Sequence, residues 1–107
     1  MSISEQTFHA EISVIPIGTS SGTSMSKEIA AAFDAIRKIK DIKSMLTPMG
    51  TQIETNNFAN ILTAIEAAHQ AIRLAGAKRI ITTVRIDERL DRSTSLEEKV
   101  DSVLQKL

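Results

Sequence analysis

Carboxylates and hydroxyls are the side chains whose placement could do chemistry in this chain. Glu11 lies in the alternating segment Ala10–Ile17, and Glu54 closes the segment Gly50-Thr51-Gln52-Ile53-Glu54. If these become adjacent central strands, the two carboxylates can meet on one sheet face with Gln52, Ser13 and Thr83. Such a cluster suits a cation or an aminopyrimidine-like donor, because ionised carboxylates only accept hydrogen bonds and bind charged donors strongly. An equally weighted alternative is structural, with Glu11 paired to Arg85 as an interface bridge. His9 shares the strand parity of Glu11, but a pair of ligands is too few for a structural zinc site, so the expectation is no metal and a histidine at the surface or a strand edge. His69 adjoins an apolar helical stripe, where a packed, hydrogen-bonded histidine is expected. Without cysteine, and with no nucleophile, base and orienting group at recognisable spacing, the chain reads as a binding protein and not an enzyme.

The elements that must position these residues follow from periodicity. Ala10, Ile12 and Val14 face one way, and Glu11 and Ser13 the other, as in a half-buried strand closed by Pro16 and Gly18. The turn-forming stretch Gly18–Ser24 leads into a helix carrying Ile29, Phe33, Ile36 and Ile39, which one of the loop hydroxyls is expected to cap. That loop could hold an anion at the helix N-terminus, but it lacks the lysine of a P-loop and reads as a mobile connection. Ser44–Glu54, split by Pro48 and Gly50, predicts a hairpin. Asn56 and Asn57 open a second helix with Phe58, Ile61, Leu62, Ile65, Ala68 and Ile72 on one face, ended by Gly76. Arg79–Ile86 is β-branched and strand-like, and Ser95 with Glu98 forms a capping box before a short amphipathic helix.

The order β-α-β-β-α-β plus a terminal helix predicts an α+β, ferredoxin-like sandwich: both main helices on one face of an antiparallel sheet, in a single domain over residues 1–107 with a flexible extension at 1–7. The other face is then expected to be bare. It carries Glu11, Ser13, Ile15, Ile17, Ile81, Thr83 and Arg85, a mixture suited to burial against a second copy with polar groups lining an interface pocket. Acylphosphatase-type enzymes use this fold with a phosphate-gripping arginine in the first loop, and none stands there. RNA-binding domains of this topology stack bases on aromatics of the central strands, and the corresponding segments here contain none. Formal net charge is zero at 107 residues, which names no polyanionic partner. No apolar run approaches a membrane span, so the expectation is a cytoplasmic protein.

Several blocks together resemble a known family: Val14-Ile15-Pro16-Ile17-Gly18-Thr19, Leu46-Thr47-Pro48-Met49-Gly50-Thr51-Gln52-Ile53-Glu54, Ala75-Gly76-Ala77-Lys78-Arg79, Thr82-Thr83-Val84-Arg85-Ile86-Asp87 and Glu98-Lys99-Val100. They look like the small thiamine-binding proteins related to YkoF, over nearly the whole chain from Ala10 onward. The resemblance implies ferredoxin-like domains assembled as dimers of dimers, binding thiamine or its hydroxymethylpyrimidine half without an established reaction or cofactor. Carried over by motif position, it implies that Thr47, Met49, Gly50, Thr51 and Glu54 form a pocket wall, with Thr82 and Thr83 opposite. The sequence departs from the family pattern in its longer start, Met1–Thr7, and in Thr55, which stands where glycine commonly follows the glutamate. The combined expectation is a non-catalytic binder in which Glu54, or Glu11 if the facing is otherwise, accepts from the exocyclic amine, while Met49 supplies apolar wall. The alternative is an oligomeric scaffold or regulatory module without a dedicated small ligand.

Overall fold

Residues 6–107 are described by a computed structural model in which the two sequence periodicities separate cleanly into sheet and helix. The elements are β1 (Phe8–Ile17), α1 (Ser26–Arg37), β2 (Lys43–Thr47), β3 (Gly50–Thr55), α2 (Phe58–Leu74), β4 (Arg79–Glu88) and α3 (Leu96–Leu104). The strands form one sheet in the order β2-β3-β1-β4, and every neighbouring pair is antiparallel. This is the expected ferredoxin-like α+β arrangement, with β1 and β3 at the centre.

One face of the sheet carries the core. Phe8, Ala10, Ile12 and Val14 of β1 and Ile53 of β3 are buried against Ala32 and Ile36 of α1 and Ile61, Ala64, Ala68 and Ile72 of α2. Each fully buried isoleucine contributes roughly 1.5–3 kcal/mol. Small residues at 32, 64 and 68 let the helices come close to the sheet and to one another. Phe8 meets Phe58 edge to face, with centroids 5.6 Å apart.

The caps show where local reading succeeds and fails. Asn57 accepts a hydrogen bond from the Ala59 amide at 3.0 Å, and Gly76 stands after α2 at φ +95°, a conformation that favours glycine. The hydroxyl cap expected for α1 is absent: its N-cap is Met25, with no side-chain cap. The loop hydroxyl of Ser21 instead donates to Glu28 Oε2 at 2.7 Å, and Glu28 is buried in the first turn. Thr55, the departure from the family pattern, is also buried. Its hydroxyl donates to the Asp41 carbonyl (3.2 Å) and accepts from Asn60 Nδ2 (2.9 Å), tying the end of β3 to α2 and to the turn before β2. Of the extension expected at residues 1–7, residues 1–5 lie outside the described residues. Gln6 donates to Glu88 at 2.6 Å, and Thr7 donates to Ser93 at 3.2 Å.

The second sheet face is not bare as expected. The start of α3 lies over the end that carries His9 and Glu54: Glu54 Oε1 accepts the Leu96 amide at 2.8 Å, Lys43 pairs with Glu97, and Lys99 with Asp87. Exposure along β1 records this. His9 is buried, Glu11 and Ser13 are half-buried, and Ile15 and Ile17 are exposed. No helix among the described residues is long and apolar enough to cross a membrane.

Candidate functional site

Antiparallel pairing aligns the outward side chains of the open face in rows, with facing residues about 5 Å apart. The first row runs Lys43, Glu54, His9, Asp87, and the second runs Met45, Gln52, Glu11, Arg85. Beyond them Ser13 faces Thr83 and Ile15 faces Ile81, so the face passes from charged to apolar along β1. The charged end is the one that α3 overhangs.

Between the first two rows and α3 lies a cavity of about 380 Å³, lined by His9, Glu11, Gln52, Arg85 and Asp87 from the sheet and by Leu96 and Lys99 from the helix. Most of the surrounding charge is committed. Lys99 Nζ lies 2.5 Å from Asp87 and, chiefly through that hydrogen bond, holds its carboxyl below the ordinary range. Lys43 does the same to Glu97, and is itself raised by that partner. Glu54 is engaged by the N-terminus of α3, where a carboxylate is favoured by the helix dipole.

Two groups in the cavity keep unused hydrogen-bonding capacity. His9 Nε2 is 3.4 Å from Glu54 Oε1, near enough for charge pairing but outside hydrogen-bond geometry, so this buried ring nitrogen has no hydrogen-bond partner. A buried polar atom left so costs about 1–3 kcal/mol. Glu11 accepts from Gln52 Nε2 at 3.1 Å through Oε2, while its Oε1 stands 3.9 Å from Arg85 Nη2, beyond hydrogen-bond reach. The site thus offers a carboxylate oxygen and an imidazole nitrogen from alternate residues of β1 that line one cavity. That pair suits an amine adjacent to a ring nitrogen. Among the described residues no group of three or more His, Cys, Asp or Glu side chains could hold a metal ion.

The sequence-predicted residues divide sharply by strand parity. Glu11, Ser13, Thr47, Gly50, Glu54 and Thr83 all lie on the open face, and Glu11 lines the cavity. Thr51 and Thr82 do not join them. Facing Ile12 and Val14, they point to the helices, where Thr51 is buried and Thr82 Oγ1 is 2.5 Å from His69 Nε2. Met49 sits in the β2–β3 turn, 80% exposed, and forms no wall of the cavity. Thr47 donates its hydroxyl to the Gly50 carbonyl at 2.7 Å, within the hairpin. Gly50 is required by close approach: a Cβ there would stand 2.9 Å from the Ile12 carbonyl oxygen. His9, expected at the surface or a strand edge, is buried on a central strand under the start of α3, whereas His69 is packed and hydrogen-bonded as expected. Sequence reasoning missed the cavity roles of His9, Asp87, Leu96 and Lys99. The shared parity of His9 and Glu11 was the available signal, whereas nothing in the capping box tells where α3 docks.

Comparison with known proteins adds a family to this geometry. Residues 10–104 match the family described as thiamine-binding protein. A UPF0045 protein of Methanothermobacter thermautotrophicus is 41% identical over 98 residues, covering 92% of this chain and 97% of the relative. The crystal structure of the hypothetical protein MJ1052 of Methanocaldococcus jannaschii superposes with a TM-score of 0.80 at 32% identity, covering 92% of this chain and 97% of that one. A Thermotoga maritima structure, assigned provisionally to thiamine biosynthesis or salvage, superposes with a TM-score of 0.74 over 91% of this chain and 98% of its own. At 23% identity that likeness speaks to the fold.

Proposed function

The chain belongs to the thiamine-binding protein family, and on that premise we propose that it is a non-catalytic, single-domain binder of thiamine or its hydroxymethylpyrimidine half, held in the cavity between the open sheet face and α3. The observation that carries this reading is the buried His9 Nε2, without a hydrogen-bond partner, in a cavity also lined by Glu11, whose Oε1 is held only by a long ion pair with Arg85. An aminopyrimidine meets both: its exocyclic amine donates to Glu11, and its adjacent ring nitrogen accepts from His9 in the tautomer that carries the proton on Nε2. Glu11 takes the role in preference to Glu54, whose carboxylate is engaged by α3. The provisional assignment of the Thermotoga maritima fold neighbour to thiamine biosynthesis or salvage supports this reading.

In this reading the protein works in the cytoplasm without cofactor or metal, and self-associates through the apolar end of the open face. Ile15, Ile17 and Ile81 are exposed there, as are Val100, Val103 and Leu104 of α3. The same exposed surface favours a second reading, a scaffold or regulatory module whose partner covers it. Thermal unfolding at fixed protomer concentration, with and without thiamine and its pyrimidine half, tests the first. A ligand at a hundred times its dissociation constant stabilises by about 2.7 kcal/mol. An upward shift that is lost in Glu11→Gln supports the binder. No shift at millimolar ligand, or a shift that Glu11→Gln leaves intact, refutes this site.

A further inference from the structure

Resting on the reading that the chain self-associates and binds its ligand under α3, we infer that two copies join edge to edge through β4, antiparallel about a two-fold axis at Thr83, and that each α3 then lies over the partner's open face, so that the cavity is completed only in the pair. β4 is an outer strand of the sheet, ten residues long, and it pairs with β1 position by position without a bulge or a proline. An edge of that length is a template for another strand. Its sequence complements itself. Lys78 and Arg79 stand at one end and Asp87 and Glu88 at the other, so antiparallel pairing of two copies sets opposite charges together at both ends. A two-fold axis normal to the sheet keeps the helices of both copies on one side, which requires facing residues of equal parity. Centred on Thr83, the register sets Lys78 against the partner's Glu88, Arg79 against the partner's Asp87 and Ile80 against the partner's Ile86. Moving the axis by one residue either way sets Arg79 against the partner's Arg85 or the partner's Arg89. Ile86 faces the buried Ala10 within its own sheet and is nevertheless exposed along the edge, where the second copy covers it.

The same register gives the exposed half of α3 a place to lie. The helix is held to its own protomer by its first four residues, through Leu96 at Glu54, Glu97 at Lys43 and Lys99 at Asp87 on the β4 edge. The turns that follow leave Val100, Val103 and Leu104 exposed. Across that edge, opposite Asp87, the register brings the partner's Arg79 end of β4, and at that end of the open face Ile81, Ile15 and Ile17 are exposed. A helix stripe on a sheet face is the ordinary two-layer contact, and each copy gives one such contact and receives one. α3 also supplies Leu96 and Lys99 to the cavity. Ligand and second copy therefore favour the same docked position of one helix, and each strengthens the binding of the other.

The chain contains no cysteine, so single cysteines report the register directly. Thr83→Cys should link to its own copy, by oxidation or with a short thiol-to-thiol reagent, because facing Cα atoms of an antiparallel pair stand about 4.5–5.5 Å apart, within the span of a disulfide. Ile81→Cys should not, because its two copies lie four residues apart along the strands, about 13 Å. Thiamine affinity is then measured by calorimetry on the linked pair, with and without Val103→Lys and Leu104→Lys. Both side chains are exposed in the protomer, so the substituted protein should fold like its parent, which its unfolding curve verifies. The double substitution should weaken thiamine binding about tenfold. No link at Thr83→Cys, or equal linking at Ile81→Cys, overturns the pairing. An affinity unchanged by the double substitution overturns the completion of the cavity by the partner. A linked pair that binds neither thiamine nor its pyrimidine half overturns the ligand reading and leaves the pairing standing.

Discussion

Removing the Glu54 carboxylate should release α3 while leaving the sheet and the two main helices intact. Glu54 Oε1 accepts the Leu96 amide at 2.8 Å, at the first residue of α3 and in a half-buried position. A hydrogen bond to a charged acceptor contributes about 1.5–3 kcal/mol, a range that already includes much of the favourable placement at the helix N-terminus. The Lys43 and Lys99 pairs, both at the surface, would then hold the helix together with the burial of Thr94 and Leu96. Glu54→Ala should therefore raise the open population of α3 roughly tenfold to a hundredfold. Glu54→Gln, which keeps an acceptor and loses the charge, should fall between. Native-state hydrogen exchange reads this directly: amides in the last turn of α3 should accelerate by that factor, while those of α2 around Ile61 and Ala64 keep wild-type protection. Ligand affinity should fall in parallel, since α3 supplies Leu96 and Lys99 to the cavity. Unchanged α3 exchange in Glu54→Ala refutes the docking argument. Equal acceleration in α2 would show instead that Glu54 supports the whole fold.

Acid should loosen the same helix. Folded Asp87 and Glu97 titrate below their ordinary values of 3.8 and 4.5 because Lys99 and Lys43 hydrogen-bond their charged forms. Their contribution is fully present above those unfolded values and is lost as pH falls through the folded ones, so α3 protection should drop from roughly pH 5 downward, ahead of α2. Self-association through the open face predicts a solution mass above the 11.7 kDa of one chain, reduced to one chain by Ile15→Lys with Ile81→Lys. Light scattering of a monomeric wild type at high micromolar concentration would refute that surface as the contact.

The fold was legible because its signals are local. Alternation over Ala10–Val14, the stripe from Ile61 to Ile72, and the Asn57 and Gly76 caps each depend on neighbours a few residues away, and each reappears in the structure. The site was legible only where strand parity alone decides. Glu11 and Gln52 belong together because both are outward positions of paired central strands. Thr51 and Thr82 entered the expected wall on motif position, against the parity that turns them toward the helices. His9 escaped because its burial comes from α3, whose docking depends on a carboxylate 42 residues earlier in the chain. Asp87 escaped because β4 continues to Glu88, past the point where charged residues suggest a loop.

β1 is the first of the described elements yet central in space, and this bears on when the cavity forms during synthesis. The strand leaves the ribosome long before its β4 partner, with Phe8 destined for Glu88 and Ile17 for Arg79. Pairing with β3 can form earlier and protect one edge, while the other edge stays open until most of the chain has emerged. Arg85, Asp87 and Lys99 come later still. A nascent chain can therefore gather a helix-covered half-sheet, but it has no cavity to offer a ligand, and binding can stabilise only the finished protein.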